Sequence, residues 1–234
     1  MPPCMISLRK TTRDTSAMTL TELLLAIVVI ALLITLAIPT LGKIRERSQL
    51  VGCLSHLKQL GSASLNYAVD HQGYLPRGDQ PQANGAGYIQ WPYVLDGYFG
   101  VYYLDLLANP TAFRASPFSC PEEKETFSYH YALNRQLNER LVGDKAYIRL
   151  SQVRNPSRYV LFSDAYFDRT IFSDLRDKMI SMTRMTRRHG GFPNFVYADG
   201  HVASYRGPLY GVSDAEGRNN PDIRAMWEFD YQIP

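Results

Sequence analysis

The sequence lacks the motifs by which the commonest enzyme classes are recognised. It contains no glycine-rich phosphate loop, no nucleophile-elbow motif, and no pattern of serine, cysteine and histidine typical of a catalytic triad. Cysteine is scarce, at three of 234 residues. We therefore expect a protein that is not an enzyme.

Excess charge is lacking outside the first 17 residues. The formal net charge of the whole chain is +3, but without residues 1–17 the chain has 22 basic and 21 acidic side chains. Nucleic-acid-binding proteins depend on clustered basic charge, so we do not expect nucleic acid as a partner. One small arginine cluster is more typical of a solvated loop: Arg184, Arg187 and Arg188.

Polar residues are nearly absent from one long segment. Between Leu23 and Ile38 the only polar residue is Thr35. Residues 18–38 would form a helix about 30 Å long, which matches the hydrocarbon thickness of a bilayer. The run is longer than the apolar core of ~7–15 residues in a cleaved signal peptide. We expect a retained membrane helix with a cytoplasmic basic leader; the alternative is a secreted protein, cut after the run.

Glu22 interrupts the start of this apolar segment. A carboxylate at the centre of a membrane costs about 2–3 kcal/mol or more, so a partner charge is expected. The nearest cation that the chain could supply is an α-amino group, created by cleavage just before Met18. The alternative is a lone carboxylate that reaches the membrane interface or takes up a proton.

The helix is expected to continue beyond the apolar segment. Pro39 predicts a kink near the outer boundary of the membrane. The periodicity predicts one helix from Met18 to about Tyr67, with a membrane half at residues 18–39 and an amphipathic half at residues 40–70. Apolar or small residues recur there at spacings of three and four: Leu50, Leu54, Leu57, Gly61, Leu65 and Ala68.

Residues 71–234 are expected to form a globular α+β domain. Two β-prone runs flank Asp199 and Gly200, which is the strongest hairpin signal in the chain. Residues 158–164 have the pattern of a buried strand. The fold predicted is a long N-terminal helix packed on a small antiparallel β-sheet.

The residues around Glu22 resemble the class III signal of type IV pilins and type II secretion pseudopilins. In that family a prepilin peptidase cuts after a small residue, usually glycine, and N-methylates the new first residue. The resemblance implies a cut between Ala17 and Met18, with Ala17 in the usual place of glycine. Glu22 is then the fifth mature residue, and Pro39 closes the membrane half of a pilin-like helix.

A second resemblance lies near the C-terminus. The run from Arg188 to Gly191, followed by Asp199-Gly200-His201-Val202, is similar to the H-x9-DG signature of a pilin-like subgroup of bacterial surface and secretion proteins. His189, Asp199 and Gly200 are the signature residues. The segments around Cys53 and around Cys120-Pro121 look like the same subgroup.

The resemblance implies a structural subunit rather than a catalyst. Such a subunit is single-pass in the bacterial inner membrane, with its C-terminal domain in the periplasm. It meets prepilin peptidase, an inner-membrane assembly platform and other subunits, and it assembles through its N-terminal helix into a type II secretion pseudopilus or a type IV pilus-like filament. The alternative is a monomeric, membrane-anchored periplasmic binding module that uses the aromatic residues between 88 and 103.

The cysteines leave two states open. Cys4 lies in the leader, so Cys53 and Cys120 remain in the exported part. They could form a disulfide in an oxidising compartment, or stay as two buried thiols. Sequence alone gives no Cα separation by which to choose.

Two groups of residues raise the question of a metal. His189, Asp199 and His201 are ligand types that suit zinc, although Asp199-Gly200 also suits a tight turn. Some major pseudopilins have a C-terminal calcium loop, and a stretch near the end of this chain carries oxygen ligands that suit calcium. These ligands would come from Asp214, Glu216, Asn219 and Asp222. The alternative for this stretch is a solvated loop. No other cofactor is expected.

Overall fold

The computed structural model describes residues 19–78, 80–82, 87–123, 130–137, 147–165, 179–180 and 188–206. By its internal contacts the chain divides into two compact units, residues 1–44 and residues 45–234. Several predicted sites lie outside the described residues, namely Ala17, Met18, Asp214, Glu216, Asn219 and Asp222.

The N-terminal helix α1 spans Leu20–Asp70, which confirms the single long helix predicted from the sequence. Its first turn is closed by a capping box. Glu22 Oε2 accepts hydrogen bonds from the backbone N and the Oγ1 of Thr19, both at 2.8 Å, and Glu22 N donates to Thr19 Oγ1 at 3.3 Å. The helix ends at a turn in which Gly73, at a φ of +86°, donates from its N to Ala68 O at 2.7 Å.

The first part of α1 presents apolar side chains to its surroundings. The large hydrophobic residues described between Leu20 and Ile38 are 46–79% exposed. Within the part of the chain that the structure describes, no helix combines the length and apolarity that a membrane crossing needs. The helix continues through Pro39, and the predicted kink stays a prediction.

The second part of α1 buries one stripe. Leu57 and Leu60 are fully buried, and Ala63, Tyr67 and Ala68 are at most 8% exposed. The stripe begins at Cys53, and three of its predicted members are only half-buried, namely Leu50, Leu54 and Leu65.

Short elements follow α1 along the chain. Two two-residue strands pair with each other, β1 (Gln80–Pro81) and β2 (Tyr88–Ile89). Three short helices come next: α2 (Trp91–Leu95), α3 (Tyr103–Ala108) and α4 (Pro110–Ala115). Later elements are β3 (Tyr131–Asn134), β4 (Val160–Asp164), β5 (Met179–Ile180), α5 (Arg188–Gly191), β6 (Asn194–Tyr197) and β7 (Val202–Ser204).

Five of these strands form one sheet in the order β5-β3-β4-β6-β7. The strands β3, β4, β6 and β7 pair antiparallel with their neighbours in that order, and β5 pairs parallel to β3. The α+β class and the hairpin around Asp199-Gly200 are confirmed. The buried strand predicted at 158–164 is β4, all five residues of which are buried.

Gly61 allows α1 to approach the sheet closely. A Cβ atom at Gly61 would lie 2.4 Å from Val196 Cγ2, which is far inside van der Waals contact. The turn of the hairpin meets the same helix, because Lys58 Nζ donates a hydrogen bond to Gly200 O at 2.6 Å. Residues 58–61 therefore position β6, and with it the chain that precedes β6.

Replacing Gly61 by alanine should destabilise the domain. We expect the free energy of unfolding to fall by about 1–3 kcal/mol, because the added methyl group overpacks against Val196. This loss would outweigh the helix propensity of alanine, which exceeds that of glycine by about 1 kcal/mol. The measurement is chemical denaturation followed by near-ultraviolet circular dichroism.

Gly97→Ala is the matched control. Gly97 lies in the 3-10 helix Asp96–Phe99, and nothing lies within 4 Å of a Cβ atom built there. The free energy of unfolding of the Gly97→Ala protein should change by no more than about 0.5 kcal/mol. A Gly61→Ala protein as stable as the control would contradict the close packing of α1 on Val196.

Candidate functional site

Two cysteines that are distant in sequence meet beside α1. Cys53 lies on the buried face of α1, and Cys120 lies in the loop after α4; both are 0% exposed and both are free thiols. Their Sγ atoms and a ring nitrogen of His189 all lie within 4.8 Å of one another. Among the described residues, this is the only such convergence of three histidine, cysteine or acidic side chains.

His189 is held between a sulfur and a carboxylate. Its Nε2 lies 3.4 Å from Cys120 Sγ, and its Nδ1 lies 2.7 Å from Glu122 Oε2. Its backbone N also donates to Glu122 Oε2, at 2.9 Å. The φ of His189 is +55°, which is uncommon for a residue other than glycine and must be held by its surroundings.

Cys53 is bonded to a buried carboxylate. Its Sγ donates to Asp164 Oδ1 at 3.1 Å, and Tyr131 OH donates to the same sulfur at 3.4 Å. The other carboxylate oxygen, Asp164 Oδ2, accepts from Asn194 N at 3.0 Å and from Asn194 Nδ2 at 2.8 Å. Antiparallel pairing places these groups together, because Asp164 faces Tyr131 across β3 and β4 and lies beside the start of β6.

Burial and neighbouring charges set the protonation of this cluster. Burial raises the pKa of Asp164 to about 6, and it raises the pKa of the Cys53 thiol. The neighbouring Cys53 thiol, and then the imidazole of His189 and the positive charge of Arg188, hold the pKa of Cys120 far below its usual range. Burial alone would lower the pKa of His189, but the bond to Cys120 and the negative charges nearby raise it by more.

Arg188 brings a positive charge to the same cluster. Its guanidinium is nearly buried, lies 3.5 Å from Glu123 Oε2 and donates to Ala165 O. A cation in low dielectric stabilises nearby thiolate and carboxylate groups. The surroundings therefore favour the thiolate form of Cys120 and the thiol form of Cys53.

A pocket of about 300 Å³ opens beside the cluster. Its lining includes Glu122 and His189 together with Glu46, Arg47 and Leu50 of α1. The order Cys120, His189, Glu122 is that of a nucleophile, a base and an orienting group. Cys120 has no exposed surface from which to attack a substrate, however, so the geometry does not support a catalytic assignment.

The signature residues predicted from the sequence divide between two places. His189 joins the cysteines. Asp199 and Gly200 form the turn between β6 and β7, where Asp199 Oδ1 accepts from His201 N at 3.0 Å and lies 2.6 Å from His201 Nδ1, and Gly200 has a φ of +82°. The structure thus does not bring His189, Asp199 and His201 together as one metal site.

The aromatic residues between 88 and 103, predicted as an alternative binding surface, are divided as well. Trp91 and Tyr103 are 3% and 2% exposed and belong to the core, whereas Tyr102 is 74% exposed. Core packing therefore accounts for part of this group only.

Sequence reasoning missed Asp164, Tyr131, Glu122 and Asn194 as members of the site. One signal was present for Asp164, because a carboxylate that ends an otherwise apolar strand pattern is costly to bury. Glu122 follows Cys120-Pro121 directly, but the sequence offered no sign that His189 would meet it.

Comparisons of the chain with protein-family models, with curated proteins and with solved structures found no match.

Asn194→Ala should destabilise the protein by about 1.5–3 kcal/mol. The change removes a hydrogen bond donated to the buried carboxylate of Asp164, and bonds to charged groups are worth about that much. Unfolding in urea, followed by tyrosine and tryptophan fluorescence, measures the loss.

Ser204→Ala is the matched control on the same asparagine. It removes the neutral bond from Ser204 Oγ to Asn194 Oδ1, of 2.6 Å, and leaves both contacts with Asp164 in place. Its cost should be nearer to about 1 kcal/mol. Equal losses of unfolding free energy in the two variants would show that the bond to the Asp164 carboxylate stabilises the protein no more than a neutral hydrogen bond does.

Proposed function

We propose that the chain is a structural, pilin-like subunit that assembles into a type II secretion pseudopilus or a type IV pilus-like filament. Prepilin peptidase would remove residues 1–17. The subunit would then lie in the bacterial inner membrane with its C-terminal domain in the periplasm, until an assembly platform adds it to the filament. The observation that carries the proposal is the exposed apolar surface of α1 before Ile38.

That surface surrounds the helix rather than forming one stripe. The consecutive residues Ile27, Val28, Val29 and Ile30 are each 46–56% exposed, and successive helical residues point about 100° apart. Large exposed apolar surfaces mark contacts with membranes or other proteins. Lipid before assembly, and neighbouring copies of the helix after it, would cover every side.

The length of the apolar run supports the same proposal. From Leu23 to Ile38 only Thr35 is polar, and Thr35 Oγ1 donates to Leu32 O within its own helix. Leu36 and Ala37 belong to the run by sequence, and their side chains lie outside the described residues.

The capping box gives Glu22 a local role that is separate from the proposed pairing. Thr19 donates two hydrogen bonds to Glu22 Oε2, which orients the carboxylate at the first turn of α1. The α-amine of Met18 in a neighbouring subunit would supply the compensating charge. A buried ion pair of this kind fixes register between helices even where it adds little net stability.

Glu22→Gln separates the two roles of this carboxylate. Glutamine still closes a capping box but carries no charge. We expect the variant to enter the membrane and be cleaved, while incorporation into filaments falls at least about tenfold, since breaking a buried ion pair costs about 3–5 kcal/mol. Incorporation is measured by oxidative crosslinking through Ala31→Cys in the sheared filament fraction.

Thr19→Ala is the control for the capping role. It removes the cap and leaves the charge of Glu22, so filament incorporation should stay close to that of the parent chain. Normal incorporation of Glu22→Gln, or equal loss in both variants, would contradict the charge-pairing role.

The mature N-terminus tests the proposed processing. Mass spectrometry of the protein extracted from membranes should show a first residue of N-methylated Met18. A mature chain that begins after Ile38 would instead show a secreted protein, and a chain that keeps residues 1–17 would remove the amine proposed to pair with Glu22.

A second candidate function is a monomeric, membrane-anchored binding module. It is favoured by a pocket of about 380 Å³ at the end of α1, whose lining includes Tyr67, His71 and Tyr147. Arg77 lies over the ring of Tyr147, 3.8 Å from its centre. Such a module would be cleaved or anchored in the membrane. Its copies would not crosslink to one another through a cysteine introduced by Ala31→Cys.

A further inference from the structure

The sulfur and nitrogen atoms of the buried cluster have the spacing of metal ligands. In a tetrahedral zinc site, Zn–S bonds of about 2.3 Å and Zn–N bonds of about 2.0 Å place sulfur and nitrogen roughly 3.5 Å apart, and two sulfurs roughly 3.8 Å apart. Cys120 Sγ and His189 Nε2 are separated by 3.4 Å. The two sulfurs and a histidine nitrogen all lie within 4.8 Å of one another.

A buried carboxylate lies next to one of these three ligands. Asp164 Oδ1 is 3.1 Å from Cys53 Sγ, and both groups are fully buried. Asn194 holds the other oxygen of the carboxylate through two hydrogen bonds. The ligand atoms that converge are two sulfurs and one imidazole nitrogen, which are ligand types that zinc prefers, and Asp164 borders this set through Cys53.

The surroundings of the histidine also fit a metal ligand. A histidine that binds zinc through one ring nitrogen commonly places the other against a carboxylate, which fixes its orientation. Glu122 Oε2 lies 2.7 Å from His189 Nδ1, an ion-pair distance without hydrogen-bond geometry, and it also accepts the backbone N–H of His189. This arrangement leaves Nε2 directed at the cysteines.

The local charges favour a divalent cation as well. Two thiolates beside the buried carboxylate of Asp164 would carry three negative charges. Arg188 supplies one positive charge, which it shares with Glu123 Oε2 at 3.5 Å. A divalent cation would offset negative charge that is otherwise costly to bury.

We propose that Cys53, Cys120 and His189 bind one zinc ion. The ion would displace the proton of Cys53 and join α1, the loop after α4 and α5 into one unit. Because both sulfurs are fully buried, the site is structural and its role is to stabilise the domain.

The first experiment is elemental analysis of the full-length chain, purified without added metal, together with its intact mass. We expect one zinc per chain, and two additional reactive thiols after removal of the zinc by a chelator. A chain without zinc, or a chain lighter by two hydrogens because Cys53 and Cys120 form a disulfide, would overturn the proposal.

Variants test the assignment of the ligands. His189→Gln should lose the zinc, whereas His201→Gln should keep it, because His201 is an exposed histidine in the turn after β6. Cys4→Ser should also keep it. Equal zinc in His189→Gln and His201→Gln would show that the ion binds elsewhere.

Glu122→Gln tests the site without removing a ligand, in case the ligand variants fail to fold. Loss of the carboxylate beside His189 should weaken zinc binding about 10–100-fold in competition with a chelator, while the circular dichroism spectrum is retained. An unchanged zinc affinity would contradict the contribution of Glu122 to the site. None of these results depends on filament assembly, so they are independent of the proposed function.

Discussion

The buried carboxylate of Asp164 is the constraint on which much of the domain depends. It has no exposed surface, and a buried charge costs several kcal/mol unless its neighbours compensate. Cys53 of α1 and Asn194 of β6 both donate to it, and Arg188 contributes positive charge. The helix, the sheet and the segment before β6 are therefore joined through one charged group, and movement of any of them would remove one of its partners.

Helix α1 is stabilised in two different ways along its length. Beyond residue 52 it buries a stripe of apolar side chains, and Gly61 brings it against Val196 of the sheet. Before residue 39 the large apolar side chains that the structure describes have no such cover within the unit 1–44. A capping box at Thr19 closes the first turn, and in a pilin-like filament the cover would come from outside the chain.

Sequence patterns predicted the helix and the turn, because these features depend on interactions between residues close in sequence. The spacing of Leu57 and Ala68 predicted a helix face, and Asp199-Gly200 predicted a turn, because both depend on neighbours in sequence. The contact between Cys53 and Asp164 joins residues 111 positions apart, so it depends on how the helix packs on the sheet and on strand register. The capping box that begins at Thr19 was not predicted, although its threonine and glutamate have the local spacing of that motif.

The backbone of His189 distinguishes the two chemical states open to the cysteines. A disulfide between Cys53 and Cys120 would remove the hydrogen bonds that both sulfurs make. His189 would then keep its left-handed φ and its contact with Glu122 without a partner at Nε2. A metal ion, as proposed above, would use the two sulfurs and the oriented imidazole together. The cost of the unusual backbone at His189 is then offset by a bond that only this conformation provides.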